Sequence, residues 1–219
     1  LHHGKIQPHQ GSIFGYVKAF TVPSKNRRRP IFEPSNNVKN LGPPFSEALP
    51  PIPTFTYPSR REKTRPHKYV KCLDASAFFD QFELHTSIRD LFVLRVIYKG
   101  KETLFSLCRA PMGACMSPAL AQFTLWALCP FKLAADHNVH ITTCIDNVRF
   151  TGDCLDDVKT VYEHFLANAK RARVTLNTED FTGFSPNQYT FLGESFTRID
   201  GSYKISNTAA YLQKLTLAL

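Results

Sequence analysis

Proline sets the first limit on this chain. Of its 15 prolines, only Pro111, Pro118, Pro130 and Pro186 follow residue 67, and the other eleven crowd the first third. Proline locks φ and removes a backbone donor, so helix interiors and central strands exclude it. The first third is therefore expected to hold edge strands, turns and loops, with the regular core built after it. Within it, Gly15–Val22 and Pro30–Glu33 read as two strands around the turn Pro23-Ser24-Lys25-Asn26. That loop also carries Arg27, Arg28 and Arg29. A second basic run, Arg60, Arg61, Lys63, Arg65, His67, Lys68 and Lys71, leads into the next strand. Such runs are either solvated faces or phosphate contacts, and charge alone does not choose between them.

After residue 67 the patterns become regular. Tyr69–Leu73 reads as a short buried strand ending at Asp74. Phe92–Tyr98 and Leu104–Leu107 flank Lys99-Gly100-Lys101, a hairpin signal. Ser117, as N-cap, and Pro118, at the first helical position, open a helix that runs to about Leu128, where Pro130 interrupts it. Val139, Ile141, Thr143 and Ile145 alternate, Asp146-Asn147 follows, and Val148–Phe150 continues. That pattern predicts a β-hairpin with a carboxylate at its tip. Leu155–Ala172 is the clearest helix, with Val158, Val161, Tyr162, Phe165, Leu166 and Ala169 on one stripe. Asp156 and Asp157 open it and Lys170, Arg171 and Arg173 close it, as the helix dipole prefers. Gln188–Phe196 reads as a short strand pair or turn. This order predicts an α+β fold with helices on one face of an antiparallel sheet.

Composition narrows the function classes. Hydrophobic residues make up 43%, including 18 Phe and 8 Tyr, which is enough for a sizeable core and excludes a disordered tail. Lys and Arg number 27 against 18 Asp and Glu, a net charge of +9 that suits a polyanion. Nucleic acid is the first candidate and an acidic membrane surface the second. No apolar stretch reaches the length of a membrane span. The 6 cysteines include no Cys-x-x-Cys pair, so the spacing offers neither a zinc site nor a disulfide framework. Buried thiols in a reducing, intracellular compartment are expected. The chain opens on Leu1, not Met, as expected of a fragment of a longer polypeptide.

Phosphoryl transfer to a primer end needs carboxylates from separate strands to converge on two metal ions about 4 Å apart. Asp74 and Asp146 are placed for that. Taken singly, an Asp at a strand end is an ordinary turn former, and Asp-Asn an ordinary hairpin turn.

Longer motifs add what the single residues lack. Leu73-Asp74-Ala75-Ser76-Ala77-Phe78-Phe79-Asp80-Gln81 resembles the first catalytic motif of retroelement reverse transcriptases, an Asp with an aromatic five residues on. Pro111-Met112-Gly113-Ala114-Cys115-Met116-Ser117-Pro118-Ala119-Leu120-Ala121-Gln122 resembles the second and is the most specific match. Cys144-Ile145-Asp146-Asn147 resembles the third, usually aromatic-x-Asp-Asp. Phe191-Leu192-Gly193 resembles the strand that grips the primer. Lys25 through Arg29-Pro30-Ile31-Phe32-Glu33-Pro34 resembles the fingers segment that holds the incoming triphosphate. The motifs stand in family order and cover most of the chain.

The resemblance implies a right-hand polymerase with fingers at 1–67 and 88–110, palm at 68–87 and 111–200, and the start of a thumb or connection at 201–219, with Ala209–Leu219 as its first helix. It implies that Asp74 and Asp146 ligate two Mg²⁺ or Mn²⁺ ions, with Asn147 beside them in the catalytic set. Phe79 would be a steric gate against the ribose 2′-hydroxyl; simple core packing beside Phe78 is the alternative. Lys25 and Arg29 would bind the triphosphate, the planar Arg fork suiting phosphate. Met112 and Gly113 would line the nucleotide, glycine allowing close backbone approach. Gln122 would lie near template or sugar, or be a surface helix residue. Partners would be a primed RNA or DNA template and deoxynucleoside triphosphates, with no membrane, in the nucleus or cytoplasm. The Arg-Pro-Ile segment and the Ile-Asp-Asn tip resemble retroelements that carry a tyrosine recombinase, including those of trypanosomatids.

The sequence departs from the family pattern at three places. Asn147 stands where the third motif has its second Asp, and Cys144 replaces the aromatic. Asp180 stands where many relatives place a Lys proposed to protonate pyrophosphate, which puts that role in doubt. A non-catalytic nucleic-acid-binding scaffold is therefore a second reading. An RNA-dependent RNA polymerase is a third, disfavoured because the second motif lacks that class's Ser-Gly and Asn pattern and Phe79 would exclude ribonucleotides.

Overall fold

A computed structural model describes residues 4–24, 27–34, 66–114, 116–177 and 183–207. In chain order its strands are β1 (Ile6–Pro8), β2 (Lys18–Ser24), β3 (Arg27–Glu33), β4 (Tyr69–Ala75), β5 (Val93–Tyr98), β6 (Lys101–Leu107), β7 (His140–Cys144), β8 (Asn147–Gly152), β9 (Leu176–Asn177), β10 (Gln188–Phe191), β11 (Glu194–Ile199) and β12 (Ser202–Asn207). Its helices are α1 (Met116–Leu128), α2 (Phe131–Asp136) and α3 (Leu155–Arg171), with 3-10 turns at Phe78–Gln81 and Thr86–Leu91. None of the described helices is long and apolar enough to cross a membrane. The five described cysteines carry free thiols, and burial pushes those of Cys72 and Cys129 up to about 12.

The described residues form two compact units, 4–34 with 77–121 and 66–76 with 122–207. In the first, β2 and β3 make an antiparallel ribbon, and β1, β6 and β5 make a three-stranded sheet. Val17, Leu84, Phe92 and Leu107 form its core, with Phe32 and Met116 packed against them. Residues 77–87 and 111–121 cluster here, although the motif reading counted them with the palm. Backbone bonds hold them: Leu84 N to Cys108 O and Ala110 N to Phe82 O, both 2.9 Å, and Phe32 N to Met112 O, 2.8 Å.

The second unit is built on an antiparallel sheet of order β7-β8-β4-β9. Strand alternation sends Phe150 and Val148 to one face, where α3 supplies Val158, Val161 and Phe165, all fully or nearly fully buried. The rings of Phe150 and Phe165 meet edge-on at 5.3 Å. Each such side chain contributes roughly 1.5–3 kcal/mol through burial. The other face presents Val70 and Cys72 to Tyr189, Phe191, Phe196 and Tyr203 of the β10-β11-β12 sheet.

The sequence reading differs from these elements in three places. Arg27–Arg29 lie within β3, where Arg29 pairs with Val22, not in the preceding loop. Helix α1 starts at Met116, so Ser117 is not its N-cap; its hydroxyl donates to Pro111 O at 2.8 Å and ties the motif loop to the helix. As expected, α1 ends at Leu128 just before Pro130; Pro130 also caps α2, accepting from Ala134 N at 2.9 Å, where its missing N–H costs nothing. Residues 202–207 form β12, paired along β11, and the expected helix at 209–219 lies outside the described residues.

Candidate active site

The third motif forms a tight turn. Cys144 pairs with Asn147 across β7 and β8, leaving a two-residue loop of Ile145 and Asp146. Ile145 has φ +57°, while Asp146 does not share the positive φ. That sign pattern belongs to type II′ hairpins, whose first central position is normally glycine. A β-branched residue there is strained by about 1–3 kcal/mol.

Gln122 supports that strain. It sits on α1 with 2% of its surface exposed. Its Oε1 accepts from Ile145 N at 2.9 Å, and its Nε2 donates to Thr143 Oγ1 at 2.7 Å. The surface-helix reading of Gln122 is thus overturned, and its amide is spent on the hairpin. The sequence held a usable signal, because a lone amide between buried Ala119, Ala121 and Leu125 must find partners. Gln122→Met keeps the volume and removes both bonds. It is expected to lower stability by about 1–3 kcal/mol, a melting shift of a few degrees on the scale of about 2–4 °C per kcal/mol. A calorimetric melt of the variant checks this; a melting temperature equal to the parent's would leave Gln122 as filler.

Strand β4 brings the first motif to the same place. Asp74 pairs in register with Asn147 on β8 and with Asn177 on β9, and Ala75 N donates to Asp146 O at 2.7 Å. Three residues singled out from sequence, Asp74, Asp146 and Asn147, therefore meet at one end of one sheet. Asn147 Nδ2 donates to Asp146 Oδ1 at 2.7 Å, a charge-assisted bond that orients the carboxylate. No group of three or more His, Cys, Asp or Glu side chains placed to hold a metal ion occurs among the described residues. The donor set here is two carboxylates and one amide carbonyl, all hard oxygens, which fits Mg²⁺ or Mn²⁺.

The first unit holds the other motif residues. Phe78 is buried against Phe82, with ring centroids 4.9 Å apart, whereas Phe79 is half-buried. The core slot belongs to Phe78, which leaves Phe79 for another role. Gly113 has φ +115°, and a Cβ there would lie 2.8 Å from Ile31 Cγ2 and 2.9 Å from Phe32 O. Its need for glycine thus comes at least from β3, whose Phe32 N bonds to Met112 O. Met112 is half-buried, and Arg29 is exposed on β3 beside Arg28, which is tied to Thr21. Lys25, Asp180 and the run Arg60–Arg65 lie outside the described residues.

Phe191-Leu192-Gly193 forms the β10–β11 turn in the second unit. Phe191 pairs with Glu194, and Leu192 and Gly193 have φ +51° and +82°. Two positive φ values in succession make the type I′ turn that matches strand twist.

Comparison with known proteins agrees with this geometry. Residues 22–196 match the family described as reverse transcriptase (RNA-dependent DNA polymerase). No curated protein matches the chain. The structure of the foamy viral protease-reverse transcriptase dRH in complex with double-stranded DNA superposes with a TM-score of 0.68 at 18% identity, over 97% of this chain and 34% of that one. The foamy viral protease-reverse transcriptase in complex with double-stranded DNA gives 0.62 at 17% identity, over 97% of this chain and 40% of that one. The chain thus spans well under half of the proteins it resembles, and the likeness gives it their α+β fingers-and-palm fold. With its sequence matched to the family from residue 22 to residue 196, the chain belongs to the reverse transcriptases.

Proposed function

We propose that this chain is the fingers-and-palm part of an RNA-directed DNA polymerase of a retroelement, working in the nucleus or cytoplasm. It extends a primer 3′ end with deoxynucleotides on an RNA or DNA template. The observation that carries this reading is the meeting of Asp74 with Asp146 and Asn147 at one sheet end, from strands distant in sequence. The motif resemblance further supports a retroelement with a tyrosine recombinase.

Asp74 and Asp146 hold two divalent ions, with the Asn147 carbonyl as a neutral donor. When bound, the ions lower the pKa of the attacking 3′-hydroxyl and stabilise charge on the leaving pyrophosphate. Gln122 holds the strained turn so that Asp146 presents its carboxylate in one orientation. Arg29 and Lys25 bind the triphosphate, Met112 and Gly113 line the nucleotide, and Phe79 closes the space of a 2′-hydroxyl. Phe191-Leu192-Gly193 seats the primer terminus.

Asn147 also favours a second reading, a scaffold that binds nucleic acid without chemistry. Its amide already bonds Asp146, and it brings no charge. The two readings separate on Asn147→Asp. For a polymerase, the added carboxylate raises Mg²⁺-supported incorporation by about tenfold, equal to roughly 1.4 kcal/mol in the barrier. The parent prefers Mn²⁺, which tolerates mixed donors better. Incorporation rates of both forms in each metal decide the matter. Nucleic-acid binding without incorporation by either form, in either metal, puts the scaffold first.

A further inference from the structure

Strand β8 buries a charge where its neighbours are apolar. Arg149 is 4% exposed between buried Val148 and Phe150. Its Nε and Nη1 are buried with no hydrogen-bond partner among the described residues, and Nη2 reaches Thr142 Oγ1 only at 3.4 Å. A buried guanidinium with so few acceptors is costly, and an apolar side chain of similar volume is often the more stable choice. Aromatic rings surround most of what remains: the guanidinium carbon lies 4.7 Å from the Phe191 ring centre and 5.1 Å from that of Phe196. Glu194, the register partner of Phe191, is also buried with Oε1 unpartnered, yet no ion pair joins it to Arg149 among the described residues.

The placement of this contact matters more than its strength. Arg149 pairs with Cys72 on β4, and two residues earlier Asn147 pairs with Asp74. By strand alternation Arg149 shares a face with Asn147 and Asp74. Phe191 is the last residue before the Leu192-Gly193 turn. One side chain therefore bridges the strand of the catalytic hairpin and the Phe-Leu-Gly turn. We propose that Arg149 is a positioning residue that fixes this turn relative to the Asp146–Asn147 end of β8, so that a seated primer terminus keeps its place against the metal-binding carboxylates. The proposal rests on the polymerase reading above.

The test is steady-state primer extension by Arg149→Met, Arg149→Lys, Phe191→Ala and the Arg149→Met/Phe191→Ala double variant, each with a thermal melt. Arg149→Met is expected to melt at or above the parental temperature, since it removes a buried charge that has few acceptors. Its KM for primer–template rises about tenfold, the scale of a lost desolvated cation–π contact. Its KM for deoxynucleotide changes less than about twofold, on the same reasoning that the contact acts on the turn and not the nucleotide. Arg149→Lys, which keeps a cation over the rings, recovers part of the loss. The double variant is no worse than the poorer single variant, because both remove one contact. A folded Arg149→Met with parental KM for primer–template overturns the proposal, as do effects of Arg149 and Phe191 that multiply. If Arg149→Met does not fold, a parental primer KM in Arg149→Lys together with a raised one in Phe191→Ala overturns it equally. A parent that incorporates nothing overturns the polymerase reading and this proposal with it; an active parent with unaffected variants overturns only the assignment of Arg149.

Discussion

Asp74→Asn and Asp146→Asn each abolish nucleotide incorporation, by about 10³-fold or more, roughly 4 kcal/mol in the barrier. Each substitution keeps the shape and removes one negative charge from a proposed site that has two carboxylates among the described residues. With Asn147 already neutral, no third carboxylate stands beside them in the motif. Folding is spared for a structural reason. Backbone bonds join β4 to the hairpin, including Ala75 N to Asp146 O, and these survive either change. An Asn at 146 still offers a carbonyl to the Asn147 amide in place of the carboxylate Oδ1. Single-turnover extension in Mg²⁺, together with a melt and a primer–template titration, separates these effects. Parental extension by either variant removes both residues from the metal site.

Phe79→Val shifts substrate choice toward ribonucleotides by about 10²-fold, since steric exclusion of a hydroxyl is worth a few kcal/mol. The local structure makes this prediction sharper than the sequence did. Two adjacent aromatics compete for one core slot, and Phe78 takes it, packing on Phe82 behind a left-handed Ala77 (φ +45°). Phe79 is left half-buried. A core role would make Phe79→Val lower both substrates together. The ratio of kcat/KM for ribo- and deoxyribonucleotide in the variant, against the same ratio in the parent, distinguishes the two; an unchanged ratio in a folded variant returns Phe79 to packing.

Much of the second unit was legible because its signals are local. The hairpin alternation from Val139, the amphipathic stripe of α3 and the paired runs around residue 192 each correspond to elements found there. Boundaries and short elements were not. Pro130 reads as a stop in sequence, and only the Ala134 N–H bonded to its carbonyl shows that it opens α2. The three-residue strand β1 carries no periodicity, and its pairing with β6 is a contact between residues about a hundred positions apart. The candidate site divides in the same way. Asp74, Asp146 and Asn147 are legible as a motif, and strand register brings them together. Gln122 and Gly113 were visible as residues but not in what they do. A buried amide clamp on Ile145 and a close approach by the Phe32 carbonyl exist only after the chain has folded. Arg149 gave no signal at all, because a single arginine in a strand reads as a solvated edge until the Phe191 and Phe196 rings are found against it.

One measurement bears most directly on whether Asp74, Asp146 and a neutral Asn147 make a working polymerase site. The protein is mixed with a primed RNA template of defined sequence, deoxynucleoside triphosphates, and Mg²⁺ or Mn²⁺. The expected result is extension of the primer by the template's complement, faster in Mn²⁺ than in Mg²⁺ and stopped by a chelator. Stable binding of the primed template with no extension in either metal contradicts it.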